Sequence, residues 1–423
     1  MRKEHISDAL NLLNDTFIEE TDRLRGCCRK PQKNTALQKI YSIAGKYWKW
    51  AAVAVCLAFA VLAGNQMLSQ KTPDMDQTVQ TEKLPMLSIA ENTSDDMGFE
   101  GHMAYDISEL VNNNPWSEAS QPSALPVYRN PLSYDGPFHV TGADFGKMRE
   151  FLIAIAGRLG IDTNSLTITD DEPDEEEKRI VTEKMEGDVP EGYFNPTELI
   201  AKADGIEITV DRTMRAVVSF EPAISLSKKY NFTDGASYEE TVAVAEYLKE
   251  KYQALIQMKN PQINICGGGY SRYDTGYQQE YQIEFYDKGE NDTDTIINYN
   301  FNNIAFSCDD DGKLYLASIC QPDLSQKMGD YPVINTEKAK ELLLKGNYIT
   351  TVPYKLPDKK FIVKTELVYR TGAREEYFMP YYCFYVELQE EECDGLKTYG
   401  AYYVPAVEKE YLTNMPLWDG SFN

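Results

Sequence analysis

An uncharged apolar run, Trp50-Ala51-Ala52-Val53-Ala54-Val55-Cys56-Leu57-Ala58-Phe59-Ala60-Val61-Leu62-Ala63-Gly64, constrains this chain more than any other feature. A helix crosses a bilayer with roughly 20 predominantly apolar residues, and 17 is near the lower limit. Trp48 and Lys49 ahead of the run, with Asn65, Gln66, Met67 and Leu68 behind it, bring it to that length. Lys49 can snorkel to the headgroups, and Trp48 and Trp50 suit the interface. The reading is one transmembrane helix over residues 48–68, and a buried core helix of a soluble domain is the alternative. The segment ahead of it is too long for the short basic start of a cleaved signal peptide. Asn65 follows Leu62-Ala63-Gly64 where lipoprotein processing needs cysteine, so the segment is expected to stay as a signal anchor.

Charge sets the direction of such a span. Residues 1–49 carry ten Lys/Arg against six Asp/Glu, and the remainder carries 32 against 61, which together make the net charge of −25. By the positive-inside rule the N-terminus is cytoplasmic and the acidic remainder lies outside, as in a single-pass cell-membrane protein. An acidic exterior disfavours nucleic acid as a partner.

Residues 1–47 are too few for an independent core. Ile6, Leu10, Leu13 and Phe17 recur at helical spacing and form one apolar face. Asn34 or Thr35 begins a second short helix through Leu37, Ile40, Tyr41 and Ile43. Such exposed stripes need a surface to pack on: a cytoplasmic or membrane regulatory protein, a second copy, or the bilayer. His5, Cys27 and Cys28 lack the CxxC spacing of a structural zinc site and read as reduced thiols.

Residues 69–135 are rich in Ser, Thr, Asn, Asp, Gln and Pro and read as a linker. Beyond it the pattern is α+β: a helix followed by an antiparallel meander, about three times over, in modules 136–235, 236–330 and 331–423. The first helix carries Phe145, Met148, Leu152, Ile155 and Leu159, and its strands are Ile206–Val210 and Ala216–Phe220. The second opens on the capping box Ser237-x-x-Glu240 and runs through Val244, Leu248, Tyr252 and Leu255. Its strands are Tyr281-Ile283-Phe285, Ile297-Tyr299-Phe301, and a hairpin of Ile304–Cys308 and Leu314–Cys320 around Asp311-Gly312. The third begins at Asn335 or Thr336, and its strands are Phe361–Tyr369, Tyr377–Leu388 and Tyr399–Val404.

Motifs that carry chemistry are sparse. His102 and His139 have no nucleophile motif near them. Cys266-Gly267-Gly268-Gly269-Tyr270 lacks the Lys and Ser/Thr of a P-loop and reads as a flexible loop. Asp170–Glu177 reads as a solvated acidic loop. Asp309-Asp310-Asp311-Gly312 lacks the glutamate that closes a calcium loop, since Cys320 stands there, and reads as a turn. Of the external cysteines Cys266, Cys308, Cys320, Cys383 and Cys393, Cys308 and Cys320 flank a hairpin; buried thiols and a cross-strand pair are both open. No cofactor or metal is expected.

The last module, with Glu366-Leu367-Val368-Tyr369, Tyr381-Tyr382-Cys383-Phe384-Tyr385-Val386 and Tyr399-Gly400-Ala401-Tyr402-Tyr403-Val404-Pro405, resembles extracytoplasmic regulatory proteins of the YycH/YycI type and the wider PepSY-like domains. The front end resembles single-pass anti-sigma-like proteins of Gram-positive bacteria, although the HxxxCxxC zinc signature is absent. The resemblance implies non-catalytic regulation at the cell envelope, through a sigma factor or a sensor kinase.

Adjacent tyrosines in a strand point to opposite faces, so not all of them can enter one core. Tyr377, Tyr381, Tyr382, Tyr402 and Tyr403 are therefore candidates for an aromatic binding face, with cross-strand packing as the alternative. The expectation is a membrane-anchored, non-catalytic regulatory or sensory protein. It would bind an unidentified ligand outside and a regulator through Ile6, Leu10, Leu13 and Phe17 inside. The rivals are a membrane-tethered hydrolase of cell wall or peptides and a structural envelope protein.

Overall fold

A computed structural model describes residues 83–90, 104–132, 144–164, 166–185, 187, 189, 192–273, 276–372, 375–393 and 395–420. The chain divides into two units, Met1–Glu82 and Lys83–Asn423. The expected inner helices and the expected span over residues 48–68 lie outside the described residues. No helix among the described residues is long and apolar enough to cross a membrane, which stands against the expected transmembrane, single-pass, signal-anchor reading as far as those residues go.

The second unit is mostly β, and the expected α+β class of repeated helix-plus-sheet modules is corrected to three antiparallel sheets with few helices. The strands are β1 (Ala124–Arg129), β2 (Ile168–Asp170), β3 (Glu198–Ala203), β4 (Ile206–Asp211) and β5 (Arg215–Ile224). After them come β6 (Pro261–Tyr273), β7 (Gly276–Asp287), β8 (Asn303–Cys308), β9 (Leu314–Cys320) and β10 (Lys327–Pro332). The last are β11 (Ile349–Thr350), β12 (Ile362–Tyr369), β13 (Tyr377–Phe378), β14 (Pro380–Cys393) and β15 (Leu396–Pro405). The helices are α1 (Phe145–Arg158), α2 (Glu175–Lys184), α3 (Tyr238–Lys251), α4 (Gln253–Ile256), α5 (Asp292–Phe301) and α6 (Thr336–Leu344).

Eight strands join in the order β2-β3-β4-β5-β9-β8-β7-β6. The pairing of β5 with β9, Ala216 opposite Ile319 and Val218 opposite Ala317, fuses two meanders that the sequence presents as separate repeats. α1 and α3 cover one face of this sheet. Met148, Leu152 and Ile155 from α1 and Val244 and Leu248 from α3 share one buried cluster with Ile208, Val218, Ile265 and Phe285 of the sheet. Ser237 opens α3 with the expected capping box.

Two local readings change. Ile297-Tyr299-Phe301 alternates like a strand but forms α5. Asn291 accepts a hydrogen bond from the Asp294 N–H at 2.9 Å, and Asp292 and Asp294 fill the first turn, so the start signal outweighs the alternation. Ile297 and Phe301 also stand four apart, which suits a helix face equally well. The acidic run at 170–177 is likewise a helix start: Asp174 makes a capping box with Glu177 ahead of α2.

A four-stranded sheet, β11-β15-β14-β12, and a three-stranded sheet, β10-β1-β13, complete the unit. β1 comes from within the stretch read as a linker, yet it pairs with strands about 200 and 250 residues later in the chain, Leu125 opposite Tyr331 and Tyr128 opposite Phe378. Leu87, Leu125 and Val127 are fully buried there. The Leu87 N–H donates to Tyr411 O at 2.8 Å, and the Thr413 N–H donates back to Leu87 O at 2.8 Å.

Candidate functional site

The four-stranded sheet separates its side chains by parity. On one face Leu367, Tyr382, Phe384, Val386, Tyr402 and Val404 pack with Ile296 and Phe301 of α5 and with Ala339 and Leu343 of α6. The Tyr382 hydroxyl donates to Ile334 O at 2.8 Å and that of Tyr402 to Tyr354 O at 2.9 Å. These two candidate tyrosines are core residues whose polar ends are satisfied.

The opposite face is different in kind. In register, Glu366 stands opposite Cys383, Cys383 opposite Tyr403, and Tyr403 opposite Ile349; Lys364 stands opposite Tyr385, and Val368 opposite Tyr381. Arg370 follows β12 and turns its guanidinium over the rings of Tyr381, at 5.6 Å, and Tyr403, at 5.4 Å. Its Nη2 also pairs with Glu375 Oε1 at 3.1 Å, and both side chains are almost wholly buried. Tyr377 lies apart, in the three-stranded sheet, under the Arg129 guanidinium. The structure thus brings Tyr381 and Tyr403 together and leaves the other three candidates elsewhere. Ile6, Leu10, Leu13 and Phe17 lie outside the described residues.

A cleft of about 350 Å³ opens on this face. Ile349, Thr350 and Thr351 form one wall, Val368 to Gly372 the other, with Tyr385 and Tyr403 between them. The Thr350 hydroxyl donates to Ala401 O at 3.0 Å, and the Thr351 hydroxyl accepts from the Ala401 N–H at 3.2 Å, which fixes that wall to β15. The sequence reading missed Arg370, Glu375 and the threonines. The available signal was that Lys364, Glu366 and Arg370 share the parity of the β12 face opposite the core.

Further along the same face a polar layer joins this sheet to β6 and β7. The Lys364 ammonium pairs with Glu366 Oε1 at 2.6 Å and donates to Leu110 O. The Asn264 carboxamide donates to Cys266 Sγ and to Glu284 Oε2, both at 3.0 Å. Burial, with the Glu284 and Glu366 charges nearby, pushes the Cys266 thiol far up, and burial does the same to Cys383. Both are protonated at neutral pH and are poor nucleophiles. Cys308 is raised to about 12 and Cys320 to about 11, in each case mainly by burial. Cys308 is opposite Leu314 and Cys320 is opposite Asn303, so the two are not cross-strand partners, and both thiols are free. Among the described residues no cluster of His, Cys, Asp or Glu is arranged to hold a metal ion.

Residues 104–116 cross between the two sheets. The Gly267 N–H donates to Val111 O at 2.7 Å, the Ile265 N–H to Asn113 Oδ1 at 2.9 Å, and the Asn114 carboxamide to Leu367 O at 3.3 Å. The glycine run read as a loop is part of β6, and the missing side chain of Gly267 admits this segment. Glu109 is buried at the crossing, and its Oε1 accepts from the Tyr105 N–H at 2.9 Å. Burial raises its carboxyl to about 7, with the Asp106 and Glu280 charges adding to the rise. Between the ordinary carboxylate range and pH 7 the folded protein holds a proton that the unfolded chain has released. Stability therefore falls as pH rises through that window and levels off above it. Glu109→Gln keeps the acceptor and removes the titration. It is expected to stabilise the protein by about 2 kcal/mol at pH 8, after allowance for screening by water, and to match wild type near pH 4. Urea melts of both proteins at the two pH values check this.

No family model matches the chain, and no curated protein matches it. Among solved structures, an uncharacterised protein from Eubacterium rectale is similar at 12% identity, covering 70% of this chain and 86% of its own, with a TM-score of 0.30.

Proposed function

We propose that this protein is a non-catalytic regulatory protein whose cleft between β11 and the end of β12 binds a short peptide segment. The observation that carries the reading is the buried Arg370–Glu375 pair held against two tyrosine rings beside an open cleft. A compensated ion pair, threonine side chains and tyrosine edges offer polar contacts with no excess charge, which suits a peptide main chain. Arg370 already covers the Tyr403 face, so a sugar ring has less aromatic surface on which to stack. The raised Cys266 and Cys383 thiols are poor nucleophiles, which favours binding over cysteine chemistry on this face.

The test is a peptide-display selection against the full chain, followed by calorimetric titration of the selected peptide. Thr371 is exposed on the rim of the cleft. Thr371→Trp fills the opening and is expected to weaken binding about a hundredfold, close to 3 kcal/mol, without changing the melting temperature. Unchanged affinity would rule out this cleft.

The regulatory half of the proposal rests on the helical stripe Ile6, Leu10, Leu13 and Phe17 as a contact for a regulatory protein. Leu10→Glu combined with Leu13→Glu is expected to abolish recovery of that partner in pull-downs while peptide binding to the cleft is retained. Recovery at wild-type level would remove the stripe from the account.

A further inference from the structure

The last turn of α1 and the short helix α4 enclose a surface groove of about 550 Å³. Ala154, Gly157 and Arg158 line one side, and Gln253, Ala254 and Gln257 the other. Three of the six are alanine or glycine, so backbone lies close to the groove surface. A Cβ added at Gly157 would meet nothing within 4 Å. Arg158 is the charged group in this lining. Its Nε is buried without a hydrogen-bond partner, and no ion pair reaches it among the described residues. Burial lowers its pKa, and no charged neighbour among the described residues acts on it.

The ordinary role for arginine at a helix C-terminus is to bind the last carbonyls. Backbone donors already serve them: Leu159 N–H reaches Ile155 O, Ile161 N–H reaches Ala156 O, and Gly160 N–H reaches Gly157 O, all within 3.1 Å. In a chain with 67 acidic and 42 basic residues, this half-buried guanidinium has no carboxylate partner among the described residues. Burying a cation without a counter-charge is costly, and an incoming anion removes that cost.

We infer that this groove is a second binding site, independent of the β11–β12 cleft, for an extended peptide that presents one carboxylate side chain to Arg158. The guanidinium takes the carboxylate with two donors in its planar fork. The exposed carboxamides of Gln253 and Gln257 each offer a donor and an acceptor to the peptide main chain. Ala154, Gly157 and Ala254 are exposed and carry a methyl group or no side chain, so that main chain can lie close to them.

Calorimetric titration of the full chain at low ionic strength, with acetyl-Gly-Ala-Asp-Ala-Gly-amide and with its Asn counterpart, tests this. The Asp peptide is expected to bind at least about tenfold more tightly than the Asn peptide, and Arg158→Gln to remove the difference. Gly157→Leu, which has open space for its side chain, is expected to block the groove with Arg158 intact and a melting temperature no lower than that of wild type. Thr371→Trp is expected to leave Asp-peptide binding as in wild type, which separates this site from the cleft. Equal affinity for the two peptides, no saturable binding, or undiminished binding in Arg158→Gln would overturn the assignment.

Discussion

Glu375→Ala is expected to lower the free energy of unfolding by about 3 to 5 kcal/mol. The cause is the guanidinium that remains. Arg370 is almost wholly buried, its Nη2 lies 3.1 Å from Glu375 Oε1, and alanine takes that carboxylate away from a charge held in a low-dielectric site. Adding Arg370→Met is expected to recover most of the loss, because a flexible thioether fits between the Tyr381 and Tyr403 rings without charge. Urea unfolding of the two single variants and the double variant closes the cycle, and the coupling energy is expected to exceed about 2 kcal/mol. A cost below about 1 kcal/mol for Glu375→Ala would mean that water screens the pair as it does an exposed one, and the wall of the cleft would then lack its fixed support.

Gly267→Ala is expected to cost about 3 kcal/mol, an overpacking effect with no room to relax. A Cβ there would lie 2.1 Å from Ser108 O and 2.7 Å from both Cα and C of Glu109. All three are backbone atoms, so no side chain can turn aside. Either β6 shifts or residues 107–111 lift away, and in both cases the bond from Gly267 N–H to Val111 O is lost. Gly157→Ala gives the contrast. It adds a methyl in open space within a helix and is expected to stabilise by a few tenths of a kcal/mol, up to about 1 kcal/mol. Hydrogen exchange adds a local readout: Gly267→Ala should speed exchange at the amides of Gly267 and Ile265, which are bonded to the crossing segment. A Gly267→Ala stability within 0.5 kcal/mol of wild type, roughly the spread of neutral surface changes, would contradict the close approach.

Elements with a strong local signal were legible in the sequence. α1 and α3 follow their apolar spacing, Ser237 caps where its motif places it, and β8 and β9 form the expected hairpin around Asp311-Gly312. The longer connections were not legible, because nothing near β5 in the chain indicates that its neighbour is β9, about a hundred residues on. β1 was hidden for the same reason: Leu125 and Val127 stand in polar surroundings and are buried by partners far away in sequence. The tyrosine face was half legible. Parity alone separates Tyr381 and Tyr403 from Tyr382 and Tyr402, but which face meets the helices depends on α5, a segment whose alternation imitates a strand. Arg370 and Glu375 were missed because charged residues just beyond a strand ordinarily signal solvent, whereas here both are enclosed.

The central claim is that a peptide occupies the cleft between β11 and the end of β12, and photo-crosslinking addresses it most directly. A selected peptide carrying benzoylphenylalanine is bound to the full chain, irradiated, and the adducts are mapped by mass spectrometry. Adducts concentrated at Ile349 to Thr351, Val368 to Gly372, Tyr385 and Tyr403, lost in Thr371→Trp, are the expected result. Adducts elsewhere on the unit, with none in these segments, would contradict the claim.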